Sequence, residues 1–239
     1  MIKLKSIGAV LILPVIFAAN FAFEILQDMD NTLTDKEKKE GWVLLFDGKS
    51  VNGWRGYKNI PTDGWEVING EIHCKETGVQ KRADLITVDA YDNFELSIDW
   101  KVSKANNSGV IWRVSEDYGA SFESGPEYQL IDDNGYADKL EDWQKSGADY
   151  AMYTPSKLMA KGPGEYNKTV IRVKDSHVSY WLNGEKVVEY DLWTDDWKKR
   201  KANSKWKDAR GYGMNKKGHI ALQDHGGGVW FKNIKLKKI

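Results

Sequence analysis

Residues 94–102, FELSIDWKV, alternate apolar and polar side chains without a break. Phe94, Leu96, Ile98, Trp100 and Val102 take one side; Glu95, Ser97, Asp99 and Lys101 take the other. A period of two fits a strand buried on one face, and no helix can satisfy it. Similar runs recur in SGVIWRV, EYQLID, NKTVIRVKD, HVSYWLNG, EKVVEYD and HIALQD. Asn69-Gly70 and Asn183-Gly184 each separate two such runs by two residues that tolerate the positive φ of a tight hairpin. Many short strands with Gly and Asn turns predict an all-β sandwich of two antiparallel sheets. Its expected core holds Phe94, Leu96, Ile98, Trp100, Val110, Trp112, Tyr128, Leu130, Val178, Tyr180, Ile220 and Leu222. Nothing repeats at a solenoid or propeller period.

The same parity selects candidate functional residues. In GPEYQLIDD, Tyr128 and Leu130 belong to the core face, which leaves Glu127 and Gln129 on the other. In SGVIWRV, Val110, Trp112 and Val114 are expected inward, with Ile111 and Arg113 opposite. In HIALQDHG, Ile220 and Leu222 point inward and leave Gln223 and His225 opposite. A one-residue slip in any of these strands would bury charge and expose the apolar set.

Charge limits the function classes. Lys plus Arg is 35 and Asp plus Glu is 35, so the basic surplus usual in a nucleic-acid binder is missing. The 11 Trp and 11 Tyr are mainly core material, although a few flat rings could stack on sugar faces. Cys74 is the sole cysteine, so there is no intramolecular disulfide and no cysteine-based zinc site. At the N-terminus, Lys3 and Lys5 precede an apolar run to Phe23 that contains Pro14. This reads as a signal peptide over 1–23, with an uncleaved membrane anchor as the alternative. Residues 24–40 read as a linker, and 41–239 as one domain.

The ordered blocks NFELSIDWKVSKANNSGVIWRVSE, GPEYQLIDD, ADYAMYTP, GEYNKTVIRVKDSHVSYWLNGEKVVEYD and GHIALQDHGGGVWFKNIKL resemble the 3-keto-disaccharide hydrolase family. NSGVIWR, PEYQ and LQDHG are its specific part; WLNG alone is common among sandwich lectins. The resemblance implies a concanavalin A-like jelly roll, exported to the periplasm or surface of a bacterium. It implies hydrolase or lyase chemistry on the glycosidic bond of sugars already oxidised at C3. Its motifs fall on Asn107, Ser108, Gly109 and Arg113, on Glu127 and Gln129, and on Gln223, Asp224 and His225. The family often carries a histidine where this chain has Tyr180. It also makes the three motif strands neighbours, which chain order alone does not.

A ketone at C3 acidifies the C2 proton, because the anion left behind is an enolate. One base, one group on the enolate oxygen and a donor to the leaving oxygen would suffice. The expected base is His225, with Glu127 orienting it or holding a metal and Arg113 on the oxyanion. Gln129, Gln223 and Asn107 would bind sugar hydroxyls, and Trp181 would offer a stacking face. A divalent cation is the alternative holder of the oxyanion; separately, the acidic run Asp132, Asp133 and Asp138 has the oxygen donors for Ca²⁺.

Each of these residues also has a plain structural role open to it. Glu127 and Arg113 would make a cross-strand ion pair, and His225 would cap a strand end. Two other functions fit the same fold. A two-carboxylate glycosidase needs a second acid on the Glu127 face, where the sequence offers Gln129 instead. A non-catalytic carbohydrate-binding module needs only an aromatic strip. The identity of the aglycone, the linkage and the oligomeric state stay open.

Overall fold

The alternating runs form strands, and all of them pair antiparallel. In chain order they are β1 (Trp42–Leu44), β2 (Trp54–Gly56), β3 (Trp65–Ile68), β4 (Glu71–Cys74), β5 (Leu85–Thr87), β6 (Phe94–Val102), β7 (Asn107–Val114), β8 (Glu127–Ile131), β9 (Asn167–Lys174), β10 (His177–Leu182), β11 (Glu185–Asp191), β12 (His219–Leu222) and β13 (Val229–Lys238). An eight-stranded sheet runs β11-β10-β9-β6-β13-β4-β3, with β1 also on β13; a five-stranded sheet runs β2-β5-β12-β7-β8. The result is a jelly-roll sandwich. This computed structural model describes residues 30–239, so the expected signal peptide lies outside the described residues.

The core lies between the sheets. Phe94, Leu96, Ile98 and Trp100 from β6 meet Val110, Trp112, Tyr128, Leu130, Ile220 and Leu222 from the smaller sheet, and all are fully buried. Val178 and Tyr180 are buried in the same cluster, so every expected core position is inside. Burying side chains of this size contributes roughly 1.5–3 kcal/mol each, and this term holds the sheets together. Both expected Asn-Gly turns are present. Asn69 and Gly70 have φ of 53° and 77°, and Asn183 and Gly184 of 51° and 89°, as a two-residue hairpin requires.

The stretch expected as a linker is docked from Asn31 onward. Asn31 exchanges backbone–side-chain hydrogen bonds with Asn233 and donates its amide to Gly70 O. Helix α1 (Asp35–Lys39) is closed by a Thr34/Glu37 capping box, and Glu37 also pairs with Lys235. A short polar helix that cannot hold itself is thus held by the sheet.

Two features of the smaller sheet position the site. The first is its outer face. There Tyr57, Ile86, Ile111, Val114 and Ala221 form a small apolar cluster. The second is a bulge in β7. His219 pairs with Val114 and Ala221 with Ile111, so two steps on β12 span three on β7. Arg113 absorbs the extra residue at φ 51°. Beyond it the parity inverts: Val114 joins the outer cluster although the alternation assigned it to the core.

Candidate active site

Glu127 and Gln129 alternate with the core residues Tyr128 and Leu130 on β8, so both face away from the sandwich interior. They are nonetheless 5% and 2% exposed, and residues 147–150 are hydrogen-bonded along the outer edge of β8. Gly109 pairs with Gln129 on the adjacent strand. A Cβ on Gly109 would stand 2.5 Å from Glu127 Oε1, so the missing side chain is what lets the carboxyl lie across β7. On the far side of Gly109 comes β12, and Gln223, directly after it, donates its backbone N–H to Gly109 O at 3.0 Å. The oxygens Gln129 Oε1 and Gln223 Oε1 are buried without a hydrogen-bond partner within the chain. Buried amide oxygens rarely stay unpaired, so these two are aimed at something the chain does not supply. Asn107 lies two residues before Gly109 on the same face of β7 and opposite Ile131.

A second acid completes the row. Asp84 immediately precedes β5, opposite Gln223, as the pairing of Leu85 with Leu222 dictates. Its carboxylate accepts the Asp224 backbone N–H at 2.8 Å and the Ser121 hydroxyl. Burial raises its pKa against those two hydrogen bonds. For Glu127, burial dominates and lifts the pKa to about 8; Lys205 opposes the rise, Asp84 and Asp149 add to it, and the Gln223 amide opposes it. Two carboxyls that both resist ionisation within one recess form an arrangement suited to proton transfer near neutral pH.

The third wall comes from distant sequence. Helix α2 (Asp195–Asn203) is capped by Thr194 and anchored by the buried Trp197. The irregular chain after it brings Lys205 and Trp206 over β8. Trp206 Nε1 donates to Tyr150 O at 2.8 Å, and Tyr150 N donates to Glu127 O at 3.0 Å. Lys205 is exposed along its surface, yet its ammonium sits 4.3 Å from the Tyr150 ring centroid and 4.4 Å from that of Trp206. Lost hydration lowers its pKa, while the Glu127 carboxyl pulls it back up. Neither Asp84 nor Lys205 belongs to any motif, and the sequence reading missed both.

The other expected site residues divide. Gln129, Gln223, Asn107 and Glu127 share the recess. His225 stands at its rim: it is exposed, and it follows β12 on the loop before Gly226, Gly227 and Gly228, whose φ values are 106°, 104° and 75°. Asp224 turns away to pair with Arg82 at 2.7 Å.

Arg113 does not reach Glu127. The bulge sends its side chain to the opposite side of β7, where Nε and Nη2 donate to Asp92 O and Nη1 to Asp175 O. It lines a separate cavity of about 400 Å³ with Asp92, Asn93, Asp175 and Trp193. The expected cross-strand pair with Glu127 is therefore not formed.

Trp181 does not reach Glu127 either. It sits on β10 of the larger sheet, over an open depression of about 570 Å³ with Arg172, Ser179 and Lys186. Tyr180, at the family's frequent histidine position, is buried in the core, where its hydroxyl accepts from Trp112 Nε1 at 2.7 Å. In the acidic loop, Asp132 accepts the backbone amides of Ala105, Asn134 and Gly135, and Asp133 accepts that of Ser146. Those carboxylates are occupied by their own loops. Among the described residues no three His, Cys, Asp or Glu side chains gather as a metal-binding group.

The chain has clear relatives. Residues 41–237 match the protein family described as the 3-keto-alpha-glucoside-1,2-lyase-like domain. A Bacteroides thetaiotaomicron protein named 3-keto-disaccharide hydrolase is 35% identical over 227 residues, which span 83% of this chain and 78% of that protein. The crystal structure of a proposed glycosyl hydrolase from Parabacteroides distasonis is 42% identical, with a TM-score of 0.82 over 88% of this chain and 99% of that one. Another from the same organism is 28% identical, with a TM-score of 0.65 over 83% and 99%.

Proposed function

Because the chain belongs to the 3-keto-alpha-glucoside-1,2-lyase-like family, we propose that it cleaves 3-keto-glycosides by removing the proton at C2. The chain is an enzyme acting on glycosidic bonds. The observation that carries the finer reading is Glu127: a buried carboxyl whose pKa stands at about 8, beside two unpartnered amide oxygens. A carboxylate of that basicity is a stronger base than an ordinary one and is still reachable near neutral pH.

In this reading Glu127 takes the C2 proton and the electron pair passes to the C3 oxygen. The enolate then re-forms the C3 carbonyl and expels the C1 oxygen, which leaves a double bond between C1 and C2. The leaving oxygen gains a proton and departs as an alcohol. Water adds its hydroxyl at C1 and its proton at C2, and the net reaction is hydrolysis. Gln129, Gln223 and Asn107 hold the sugar hydroxyls. Lys205 is the cation beside Glu127 that can meet the C3 oxygen, the task expected of Arg113.

A second reading has its own support. Asp84 supplies the second acid on the Glu127 face that a two-carboxylate glycosidase requires. One comparison separates the two. A 3-keto-glucoside and its unoxidised parent are offered to the protein in D₂O. Cleavage of the keto sugar alone, with deuterium at C2 of the product, supports elimination. Equal cleavage of the parent supports the two-acid route. We place the mature protein outside the cytoplasm, on the strength of the apolar N-terminal run alone; fractionation finding the full-length chain only in the cytoplasm would contradict this.

A further inference from the structure

Among the described residues, every Tyr and every Trp or Phe is buried or half-buried except two, Phe122 at 38% and Trp143 at 37% exposure. These two come from different loops, one before β8 and one after it. Both nevertheless join the ring cluster that carries Lys205 beside Glu127, and in this reading that cluster is the mouth of the recess.

Phe122 follows Ser121, whose hydroxyl donates to Asp84. Its ring leans on Trp206 at 6.2 Å between centroids. Trp143 meets Tyr150 edge-on at 5.4 Å, and Tyr150 meets Trp206 edge-on at 6.4 Å. Trp206 in turn stacks on the buried Tyr212 at 4.6 Å. The two exposed rings are thus the ends of one aromatic chain fixed to the core, with the Lys205 ammonium over its middle. Offset and edge contacts of this kind hold ring planes in place before any ligand arrives.

We propose that Phe122 and Trp143 form the leaving-group subsite and that its occupant is a flat aromatic aglycone, as in a phenolic glycoside. This rests on the reading of the recess as a 3-keto-glycoside site. The polar floor of Asn107, Gln129, Gln223, Glu127 and Asp84 takes the sugar ring, which needs hydrogen bonds on all sides. The mouth is different. Phe122 has no polar tip, and the charged donor over the ring chain is Lys205. A second sugar would leave hydroxyls without partners against these rings, whereas a planar ring would stack on them. A phenol is also the easier leaving group, since its oxygen departs with little help from an acid. The two rings are separated by a cation and sit beside two buried acids, which is not the contiguous apolar patch that a protein partner covers.

The test uses wild type, Phe122→Ala and Trp143→Ala with three substrates: the methyl, phenyl and glucosyl 3-keto-glucosides. Each variant is expected to lose ~10-fold or more in kcat/KM on the phenyl substrate, mainly through KM, which corresponds to ~1.4 kcal/mol. On the methyl substrate it should stay within ~2-fold of wild type. Equal losses on all three substrates, no loss on any, or the largest loss on the glucosyl substrate would each overturn the proposal. If wild type cleaves none of them, the catalytic reading fails instead. The subsite is then judged by binding: titration followed by tryptophan fluorescence should give a tighter Kd for the phenyl than the methyl compound, and Phe122→Ala should abolish that preference. Equal affinity for the two compounds would again overturn it.

Discussion

The Glu127 carboxyl occupies the space that a side chain on Gly109 would need. The approach is 2.5 Å to Oε1 and 2.7 Å to Cγ, closer than any real Cβ tolerates. Gly109→Ala therefore cannot coexist with the present Glu127 rotamer. The variant should fold, with a loss of ~1–3 kcal/mol for the forced shift. Its kcat should fall at least ~10²-fold, since a displaced base loses its alignment with the C2 proton. Thermal unfolding and steady-state kinetics measured on the same preparation check both halves. A variant with full activity would show that the carboxyl works from some other position.

Glu127 itself links stability to pH. Its pKa is about 8 in the folded protein against 4.5 for the free side chain. The folded state therefore keeps a proton that the unfolded chain releases, and stability falls as pH rises from about 4.5 to about 8. The slope from this one group approaches ~1.4 kcal/mol per pH unit within that window. Glu127→Gln removes the effect. The variant should match wild type near pH 4, exceed it in Tm at pH 8, and lose at least ~10²-fold in rate. Unfolding curves across that range decide the matter, and an unchanged pH dependence in the variant would remove Glu127 as its source.

Much of this geometry was legible in the sequence, and the failures have physical causes. The strands of β6, β8 and β12 are regular, so alternation placed Phe94–Val102, Glu127, Gln129 and Gln223 on their true faces. Arg113 failed because β7 gains one residue in a bulge, which no periodicity announces and which reverses every face beyond it. Trp181 failed because parity gives a face but not the sheet, and β10 belongs to the other sheet. Asp84 precedes a strand of 3 residues, too short to display alternation. Lys205 and Trp206 arrive from irregular chain after α2, whose position over β8 depends on packing alone.

The bulge makes Arg113 a brace. Its guanidinium joins the carbonyls of Asp92 and Asp175, and also Asn93 Oδ1, so it ties two loops together beneath Trp193. Arg113→Met leaves those carbonyls without donors, at a cost of ~1–3 kcal/mol for each one that stays buried. Tm should fall clearly while kcat of the folded variant stays within ~3-fold of wild type. A large fall in kcat at an unchanged Tm would return Arg113 to the chemistry.

Behind the site lies a further buried acid, Asp149. Tyr212 donates to its Oδ1 at 2.9 Å, and burial raises its pKa to about 7 despite the Tyr190 and Tyr212 hydroxyls. Here too the folded state keeps the proton, so stability is lost as pH rises from about 3.8 to about 7. Asp149→Asn should flatten that window. The Asp149 charge also raises the pKa of Glu127. Without it, the rise of activity with pH that marks Glu127 ionisation should move to lower pH. A pH–rate profile that stays in place would disconnect the two acids.

Lys205 carries the remaining prediction. Its ammonium rests over the Tyr150 and Trp206 rings, an attraction that helps hold the cation in place beside Glu127. A cation held this way is free to meet charge that develops on the C3 oxygen, where a preorganised donor is typically worth ~10²–10³ in kcat. Lys205→Met should lose about that much in kcat with little change in KM. It should slow exchange of the C2 proton in D₂O in parallel with cleavage, because both pass through the same enolate. Lys205→Arg keeps the charge and should recover part of the rate. The pH profile gives an independent reading. Burial places the Lys205 pKa below its ordinary 10.5, and the amine loses its charge as pH rises through that lowered value. Wild type should therefore lose activity on the alkaline side below pH 10.5, and the arginine variant should keep it further. If C2 exchange in Lys205→Met runs at the wild-type rate while cleavage falls, the ammonium serves the leaving oxygen and not the enolate.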